Sequence, residues 1–303
     1  MGVVSFALLL HYCHMSESVF LTKSEVEHPV YAMQRDHRLR EKLRAKYEAH
    51  WQVFQKVAYE GFREKFQREF YSCWWEMYLG VSIINRRLPV VPGRPNEGPD
   101  FQVQLDDGST VWVEATAPQR GTSDDQIPLE KYDGQMTTEP TDEAILRFTQ
   151  AMQVKRNKFE EYTQNGIVDA KDGMVIALSP CSFQDEAMMS LEFDEPYPLA
   201  FLAGFDASKV VVRGDGSIHW GGWRQTIQRK SGSPVRVDPF AQPEFSIISG
   251  VLYTVESPFN PETEDKYRMR LYLNPEATNP LPASFAGAFE TWHEDKDAGC
   301  WHS

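Results

Sequence analysis

The stretch that most constrains the fold is GPDFQVQLDDGSTVWVEATAP, residues 98–118. Its two runs, DFQVQL and STVWVEAT, alternate apolar and polar residues, which is the period of a half-buried β-strand. DDG, residues 106–108, stands between them, and an Asp-Gly pair favours a tight hairpin turn. The sequence therefore predicts an antiparallel hairpin whose second strand has two distinct faces. One face carries Val111, Val113 and Ala115, and the other carries Trp112, Glu114 and Thr116.

A carboxylate stands near each open end of this hairpin. Asp100 begins the first strand and Glu114 lies near the end of the second, so the two are roughly opposite. Adjacent strands are about 4.8 Å apart, and two like charges this close are costly without a cation. Carboxylate oxygens suit a hard divalent cation, Mg²⁺ or Mn²⁺, and the carbonyl of Ala115 can add a third oxygen. The pair therefore predicts a metal site.

Helical periodicity precedes the hairpin. Residues 34–79 are predicted to be helical with one break near Gly61, and Gly80 is predicted to end the helix. VSIIN, residues 81–85, is then predicted to be a short strand, and a basic, proline-broken loop follows it. The helical segment has one apolar stripe, formed by Leu39, Leu43, Tyr47, Trp51 and Phe54.

After the hairpin, residues 117–140 are predicted to form a long loop, because they show no periodicity. The next segment, 141–165, is predicted to be a helix, since Thr141 can cap it, acidic residues occupy its first turn and Asn165-Gly166 can end it. Its apolar face is formed by Ile145, Phe148, Met152 and Phe159. GMVIALSP, residues 173–180, is nearly all apolar, which is typical of a strand buried on both faces. This order predicts an α/β fold with helices packed on a mixed sheet.

GPDF, the hairpin and VWVEA together resemble the PD-(D/E)xK motif of the restriction-endonuclease-like nuclease superfamily. WEMYLG, which contains Glu76, looks like the first-helix segment whose glutamate helps to bind metal in many of these enzymes. The resemblance covers about residues 66–180. It implies a restriction-endonuclease-like core, a central mixed β-sheet flanked by helices, with a strand-rich C-terminal extension. It also implies Mg²⁺- or Mn²⁺-dependent hydrolysis of phosphodiester bonds in nucleic acid, DNA rather than RNA.

The motif departs from the superfamily at Thr116, where a lysine is usual. A positive side chain there orients the nucleophile and offsets developing charge, and threonine cannot supply it. The next helix carries Arg147, Lys155, Arg156 and Lys158. At about 100° per residue, Lys155 falls about 80° and Lys158 about 20° from Arg147, so these three share a broad sector.

Some branches of the superfamily move the lysine to this helix, and RFTQAMQVKRNKF resembles that variant. By that analogy Lys155 replaces the missing lysine, and Lys158 is an auxiliary one turn further. The resemblance thus implies a catalytic set of Asp100, Glu114, Lys155 and Lys158. It implies a metal-binding set of Glu76, Asp100, Glu114 and the Ala115 carbonyl.

The formal net charge of −13 argues against coating nucleic acid by bulk attraction and leaves a local basic cleft as the alternative. Residues 31–70 contain ten Lys and Arg against six Asp and Glu, which fits a solvated helix face or a nucleic-acid contact. In WGGWRQTIQRK, residues 220–230, the cations are either solvated beside core tryptophans or stack and pair with nucleic acid. The candidate nucleic-acid-binding residues are Arg86, Arg87, Arg94, Arg147, Arg156, Arg224, Arg229 and Lys230.

The predicted organisation is an unstructured N-terminal leader, residues 1–30, a nuclease-like core, 31–185, and a strand-rich part, 186–303, which extends the sheet or forms a small lobe. The apolar run at the start is too short to span a bilayer, and Met15 is an alternative start. Four widely spaced cysteines predict reduced thiols in a cytoplasmic protein. The tail TWHEDKDAGCWHS matches no zinc spacing and is expected to be frayed.

Two further hypotheses remain open. The fold can be a catalytically inactive module that binds nucleic acid or protein, and the acidic balance favours a protein partner over DNA coating. A homodimer is a further possible assembly. Alternatively, the paired carboxylates can act in sugar hydrolysis, which needs a spacing of about 5–9 Å and no metal. No membrane partner is expected.

Overall fold

The chain forms a large β-sheet with helices on both faces. The computed structural model describes residues 17–91, 98–122, 124–127, 141–183, 197–212, 218–260, 269–295 and 300–302. The helices are α1 (Pro29–Asp36), α2 (Glu41–Phe54), α3 (Phe62–Arg68), α4 (Phe70–Asn85), α5 (Thr141–Gln164), α6 (Tyr197–Leu202) and α7 (Ala283–Ala286). The strands are β1 (Val90–Val91), β2 (Phe101–Gln104), β3 (Thr110–Thr116), β4 (Gly173–Leu178), β5 (Phe205–Val212), β6 (Ile218–Trp223), β7 (Thr226–Gln228), β8 (Pro234–Arg236), β9 (Gly250–Tyr253), β10 (Arg270–Leu273), β11 (Glu290–Asp295) and β12 (Cys300–His302).

The main sheet has the strand order β1-β2-β3-β4-β9-β10-β11-β12. Strands β1, β2 and β3 are antiparallel neighbours, whereas β3 and β4 are parallel, as are β4 and β9. The remaining pairs, β5-β6 and β7-β8, are separate two-stranded sheets. The expected mixed α/β class, with a mixed sheet flanked by helices, is therefore confirmed.

The two faces of the sheet pack into two different cores. Val113 and Ala115 of β3 lie in a core that also contains the aromatic side chains of α2, α3 and α4. Ile176 of β4 lies in a second core, which contains Phe148 and Phe159 of α5. Because α4 and α5 cover opposite faces of the same strands, the hairpin is held between them.

The hairpin forms as predicted. Phe101 pairs with Val113 across β2 and β3, and Gly108 adopts a φ of 83° in the turn, a value that favours glycine. The amide of Gly108 donates to the carbonyl of Leu105 at 3.0 Å. Residues 111, 113 and 115, which are predicted to share one face of β3, are buried together in the α4-side core.

The predicted end of the helix at Gly80 and the predicted strand over 81–85 are wrong, because α4 continues through both. A Cβ added to Gly80 would lie 2.6 Å from the Phe54 ring, so the glycine permits close approach of α2 and α4 rather than ending a helix. The helix ends later, at Asn85, and Arg87 just beyond it adopts a left-handed φ of 61° and donates its amide to the carbonyl of Ile84 at 2.9 Å.

Gly61 marks a break in the N-terminal helical segment, as predicted, but the segment is also interrupted between α1 and α2 and between α3 and α4, so the prediction of a single break is wrong. Gly61 has a φ of 82° directly before α3. The predicted apolar stripe is buried from Leu43 to Phe54, whereas Leu39 is 78% exposed because it lies before α2 begins. These helices place a thick aromatic layer behind the hairpin.

Strands β9 to β12 continue the main sheet beyond residue 186. A buried ion pair between Lys46 of α2 and Glu256, with 3.0 Å between Nζ and Oε1, ties this part to the helical layer. The tail is not frayed where it is described, since His293 of β11 pairs with His302 of β12. Residue 19 is buried in the helical layer, and the domain boundaries at 30 and 185 stay predictions.

Several predictions fall on other parts of the chain. The predicted loop over 117–140 contains no helix or strand in its described part, residues 117–122 and 124–127, and the rest of it lies outside the described residues. The Gly-Asp-Gly turn over 213–217 and most of the possible helix at 182–189 lie outside them as well. Cys73 and Cys181 are buried free thiols. Of the helices described, none combines the length and the apolar composition needed to cross a bilayer.

Candidate active site

Asp100 and Glu114 come together at the open end of the hairpin. Continuing the β2–β3 register by one step from the pair Phe101 and Val113 places Asp100 opposite Glu114. The amide of Ala115 donates to Oδ2 of Asp100 at 2.7 Å, which fixes the Asp100 side chain against β3. Glu114 is only 2% exposed. The hairpin alone therefore brings a buried carboxylate, that of Glu114, beside a half-buried one, that of Asp100.

Two lysines from α5 reach the same carboxylate. The Nζ atom of Lys155 lies 2.7 Å from Oε1 of Glu114, and that of Lys158 lies 3.3 Å from the same oxygen. Residues three apart on a helix lie on neighbouring positions of one face, which explains why both can reach it. Lys155 is 14% exposed, whereas Lys158 is 46% exposed. A buried positive charge is thus supplied to the face of β3 that carries Thr116.

Glu76 of α4 adds a third buried carboxylate to this region. Its pKa is raised to about 8, first by burial and then by the negative charge of Asp100, while Lys65 lowers it. The pKa of Asp100 is raised to about 6 by burial and by Glu114, against the lowering effect of Lys155. The three acids therefore lie within each other's field, and without a cation Glu76 holds its proton at neutral pH.

A cavity of about 460 Å³ is lined by these three carboxylates and by two more, those of Glu60 and Glu69. From α5 it is lined by Lys158 and Tyr162, from α3 by Lys65 and Arg68, and from the segment that leads into α3 by Tyr59. Burial raises the pKa of both tyrosines, and the neighbouring carboxylates raise it further. The cavity thus combines acidic groups with cations from two separate helices.

The oxygen atoms of Asp100 and Glu114 are of the kind that Mg²⁺ and Mn²⁺ bind. Oε2 of Glu114 is buried and makes no hydrogen bond within the described chain, so it is free to accept a cation. Among the described residues, however, no three His, Cys, Asp or Glu side chains are grouped as a metal site. The donor set that fits is therefore two carboxylates and a backbone oxygen, with Glu76 further out.

The basic loop after α4 contributes little to this cavity. Arg86 donates to the carbonyls of Ser82 at 2.9 Å and Ala288 at 3.1 Å, so it anchors the C-terminal part against α4. Arg87 is exposed and sits at the end of α4. Arg94 lies outside the described residues. The described arginines of this loop do not line the cavity.

The other predicted nucleic-acid contacts are engaged with acids and carbonyls. Arg147 donates to the carbonyl of Asp125 at 3.2 Å, and Arg156 pairs with Glu160 at 2.7 Å. The cations of the 220–230 segment form three ion pairs, which are Arg224 with Asp142 at 2.6 Å, Arg229 with Asp125 at 3.5 Å and Lys230 with Glu143 at 3.1 Å. None of these five cations lines the cavity.

Sequence reasoning missed the cavity residues Tyr59, Lys65 and Arg68. The excess of Lys and Arg over Asp and Glu in residues 31–70 indicates a basic segment, but it does not predict which of the ten cations lines a site. Only the placement of α3 beside the hairpin selects Lys65 and Arg68. The chain matches no protein-family model, no curated protein and no solved structure.

Proposed function

We propose that the chain is a divalent-metal-dependent nuclease of the PD-(D/E)xK superfamily in which α5 supplies the lysine that the hairpin lacks. One observation carries the proposal. Lys155 of α5 lies 2.7 Å from Glu114, whose strand has threonine at the usual lysine position. The substrate is nucleic acid, DNA rather than RNA, and the location is the cytoplasm.

The topology supports a restriction-endonuclease-like core. The elements α4, β1, β2, β3, α5 and β4 follow one another in the order that the sequence resemblance implies. The first three strands are antiparallel neighbours, and β4 lies parallel to β3 after the α5 crossover. Helices on both faces and a buried fourth strand agree with this assignment.

Asp100, Glu114 and the carbonyl of Ala115 would hold the cation, with Glu76 acting through water. The amide of Ala115 points to Asp100. In an extended strand the carbonyl of a residue points to the same side as its amide, so the Ala115 oxygen is directed to that side as well. When bound, the cation would lower the pKa of a water molecule and polarise the phosphate.

Lys155 would orient the attacking water and offset the charge that develops on the phosphate. An ammonium group has three donors, so Lys155 can keep its bond to Glu114 and still donate to a phosphate oxygen. Lys158 would serve as the auxiliary cation, since it reaches the same carboxylate from a more exposed position. Because Glu114 and Lys155 are little exposed, the attraction of Lys155 to Glu114 and to a bound phosphate would be stronger than in water.

A catalytically inactive binding module is the second candidate. Two lysines already neutralise Glu114, and no group of three metal-ligating side chains stands among the described residues. In such a module the lysines would replace the cation permanently. The partner would then be nucleic acid, another protein or a second copy of the chain.

Metal titration separates the two candidates. Thermal unfolding and cleavage of DNA and RNA are measured in EDTA, Mg²⁺, Mn²⁺ and Ca²⁺. A nuclease unfolds at a higher temperature with Mn²⁺ and cleaves DNA only with Mg²⁺ or Mn²⁺. An inactive module shows no cleavage and no stabilisation by Mn²⁺, and that pair of results overturns the nuclease proposal.

A further inference from the structure

Lys65 is a cavity cation without a carboxylate partner. It is half-buried on α3, and its ammonium lies 5.5 Å from the centroid of the Tyr59 ring. Within the described chain its side chain has no hydrogen bond or ion pair, although it contributes to the cavity lining. A cation that is partly removed from water and held only by a ring face has unused donor capacity.

Two neighbours of Lys65 share this property. Arg68 is exposed, three residues further on the same helix face, and pairs with no acid in the described chain, since its Nε donates to the backbone oxygen of Glu64. The hydroxyl of Tyr59 is buried and has no hydrogen-bond partner among the described residues. Three donors around one cavity are thus unsatisfied by acids, in contrast to Lys155 and Lys158, which both bond to Glu114.

We propose that Lys65, Arg68 and the Tyr59 hydroxyl form a second phosphate-binding subsite, which takes a phosphodiester of the substrate strand next to the one that is cleaved. The inference rests on the proposed nuclease function. Three cations, from α3 and α5, line one cavity together with five carboxylates. A bound strand would therefore meet the acids through the proposed metal ion and the cations through its phosphates. Backbone contacts of this kind fix the register of a strand without reading its sequence.

The charge of Lys65 acts on the same carboxylates. It lowers the pKa of both Glu76 and Asp100, and Lys65 lines the same cavity as these two acids. A purely structural role as counter-charge to the acids would explain that closeness equally well. The two roles differ in one respect, because only a phosphate contact changes the salt dependence of nucleic-acid binding.

The test measures binding of a fluorescein-labelled DNA oligonucleotide, single-stranded and duplex, in Ca²⁺ at several salt concentrations. The variants are Lys65→Ala, Lys65→Arg and Arg68→Ala, and the matched control is Lys56→Ala, an exposed cation outside the cavity lining. Lys65→Ala and Arg68→Ala should each weaken binding about tenfold. Each should also reduce the slope of log K against log salt by about 0.9 on duplex or about 0.7 on a single strand. Lys65→Arg should keep the slope.

Steady-state cleavage in Mg²⁺ gives a second readout, in which Lys65→Ala raises KM about tenfold with little change in kcat. Variants that bind and cleave like Lys56→Ala, beside an active wild type, overturn the subsite and leave the nuclease proposal standing. A wild type that neither binds nor cleaves overturns both. Arg68 is exposed, so Arg68→Ala gives a result even if Lys65→Ala does not fold.

Discussion

The ammonium of Lys155 and the carboxylate of Glu114 are joined across 41 residues of sequence by a contact of 2.7 Å. Lys158 approaches the same oxygen at 3.3 Å from a position that is 46% exposed. The two distances are similar, but the side chain of Lys155 is much less exposed than that of Lys158, at only 14%. Burial decides how strongly water and salt weaken an ion pair, so the two lysines should not be equivalent.

Replacing Lys155 should therefore cost far more than replacing Lys158. Lys155→Ala leaves a buried carboxylate with one solvent-screened partner, and breaking such a buried pair costs about 3 kcal/mol of unfolding free energy. Lys158→Ala should cost less than about 1 kcal/mol. Cleavage should fall at least about 100-fold in Lys155→Ala, because a preorganised charge at the phosphate is lost, and less than about tenfold in Lys158→Ala.

Urea unfolding and single-turnover cleavage measure both effects. Lys155→Arg serves as the control that keeps the charge. Equal losses in Lys155→Ala and Lys158→Ala, in stability and in rate, would show that burial does not distinguish the two lysines.

The hairpin and its neighbouring helix could be predicted because their signals are local. Alternation, the Asp-Gly turn and helical spacing depend on residues close in sequence. Those features also put Lys155 and Lys158 on one sector of a helix. Their approach to Glu114 follows from the crossover that lays α5 over β3 and β4.

Other features depend on contacts between distant residues and could not be predicted. Gly80 looks like a helix stop until Phe54 is placed against it. Arg224 looks like a free nucleic-acid contact until Asp142, 82 residues away, is found beside it. Lys65 gains its place in the cavity lining only when α3 packs against α4. A glycine, an arginine or a lysine can each have several roles, and the neighbours that tertiary packing brings to it determine which role it has.

Glu76 should make the metal-free protein less stable as the pH rises. Its pKa in the folded chain is raised from 4.5 to about 8, so the folded state binds its proton more tightly than the unfolded state. The stability that this provides is complete below about pH 4.5 and is lost as the pH rises through 8. In EDTA, the wild type should lose unfolding free energy on the order of a few kcal/mol over this pH range because of Glu76, and Glu76→Gln should lack that loss.

Thermal unfolding between pH 4.5 and pH 8 measures the effect. Asp100, whose pKa is raised from 3.8 to about 6, adds to the fall over the lower part of this range. If stability falls equally with pH in the wild type and in Glu76→Gln, deprotonation of Glu76 is not the cause of the fall.

Gly80→Ala should destabilise the fold even though alanine favours helices. The added Cβ would lie 2.6 Å from the Phe54 ring and 3.0 Å from Phe101. Overpacking costs about 1–3 kcal/mol, against a helix-propensity gain of up to about 1 kcal/mol. A net loss of about 1–2 kcal/mol is expected in urea unfolding. In a Phe54→Leu background, Gly80→Ala should reduce the unfolding free energy by less than it does in the wild type. A Gly80→Ala variant that is more stable than the wild type would contradict the close approach of α2 and α4.

The central claim is that Asp100 and Glu114 hold a catalytic cation, and Mg²⁺-dependent cleavage of DNA by single variants tests it most directly. Asp100→Ala and Glu114→Gln are compared with Asp106→Ala, which removes an exposed carboxylate at the other end of the same hairpin. Unfolding temperatures are measured in parallel. The expected result is that cleavage is lost in the first two variants, with folding retained, and unchanged in Asp106→Ala. Wild-type cleavage in a folded Asp100→Ala or Glu114→Gln would contradict the account.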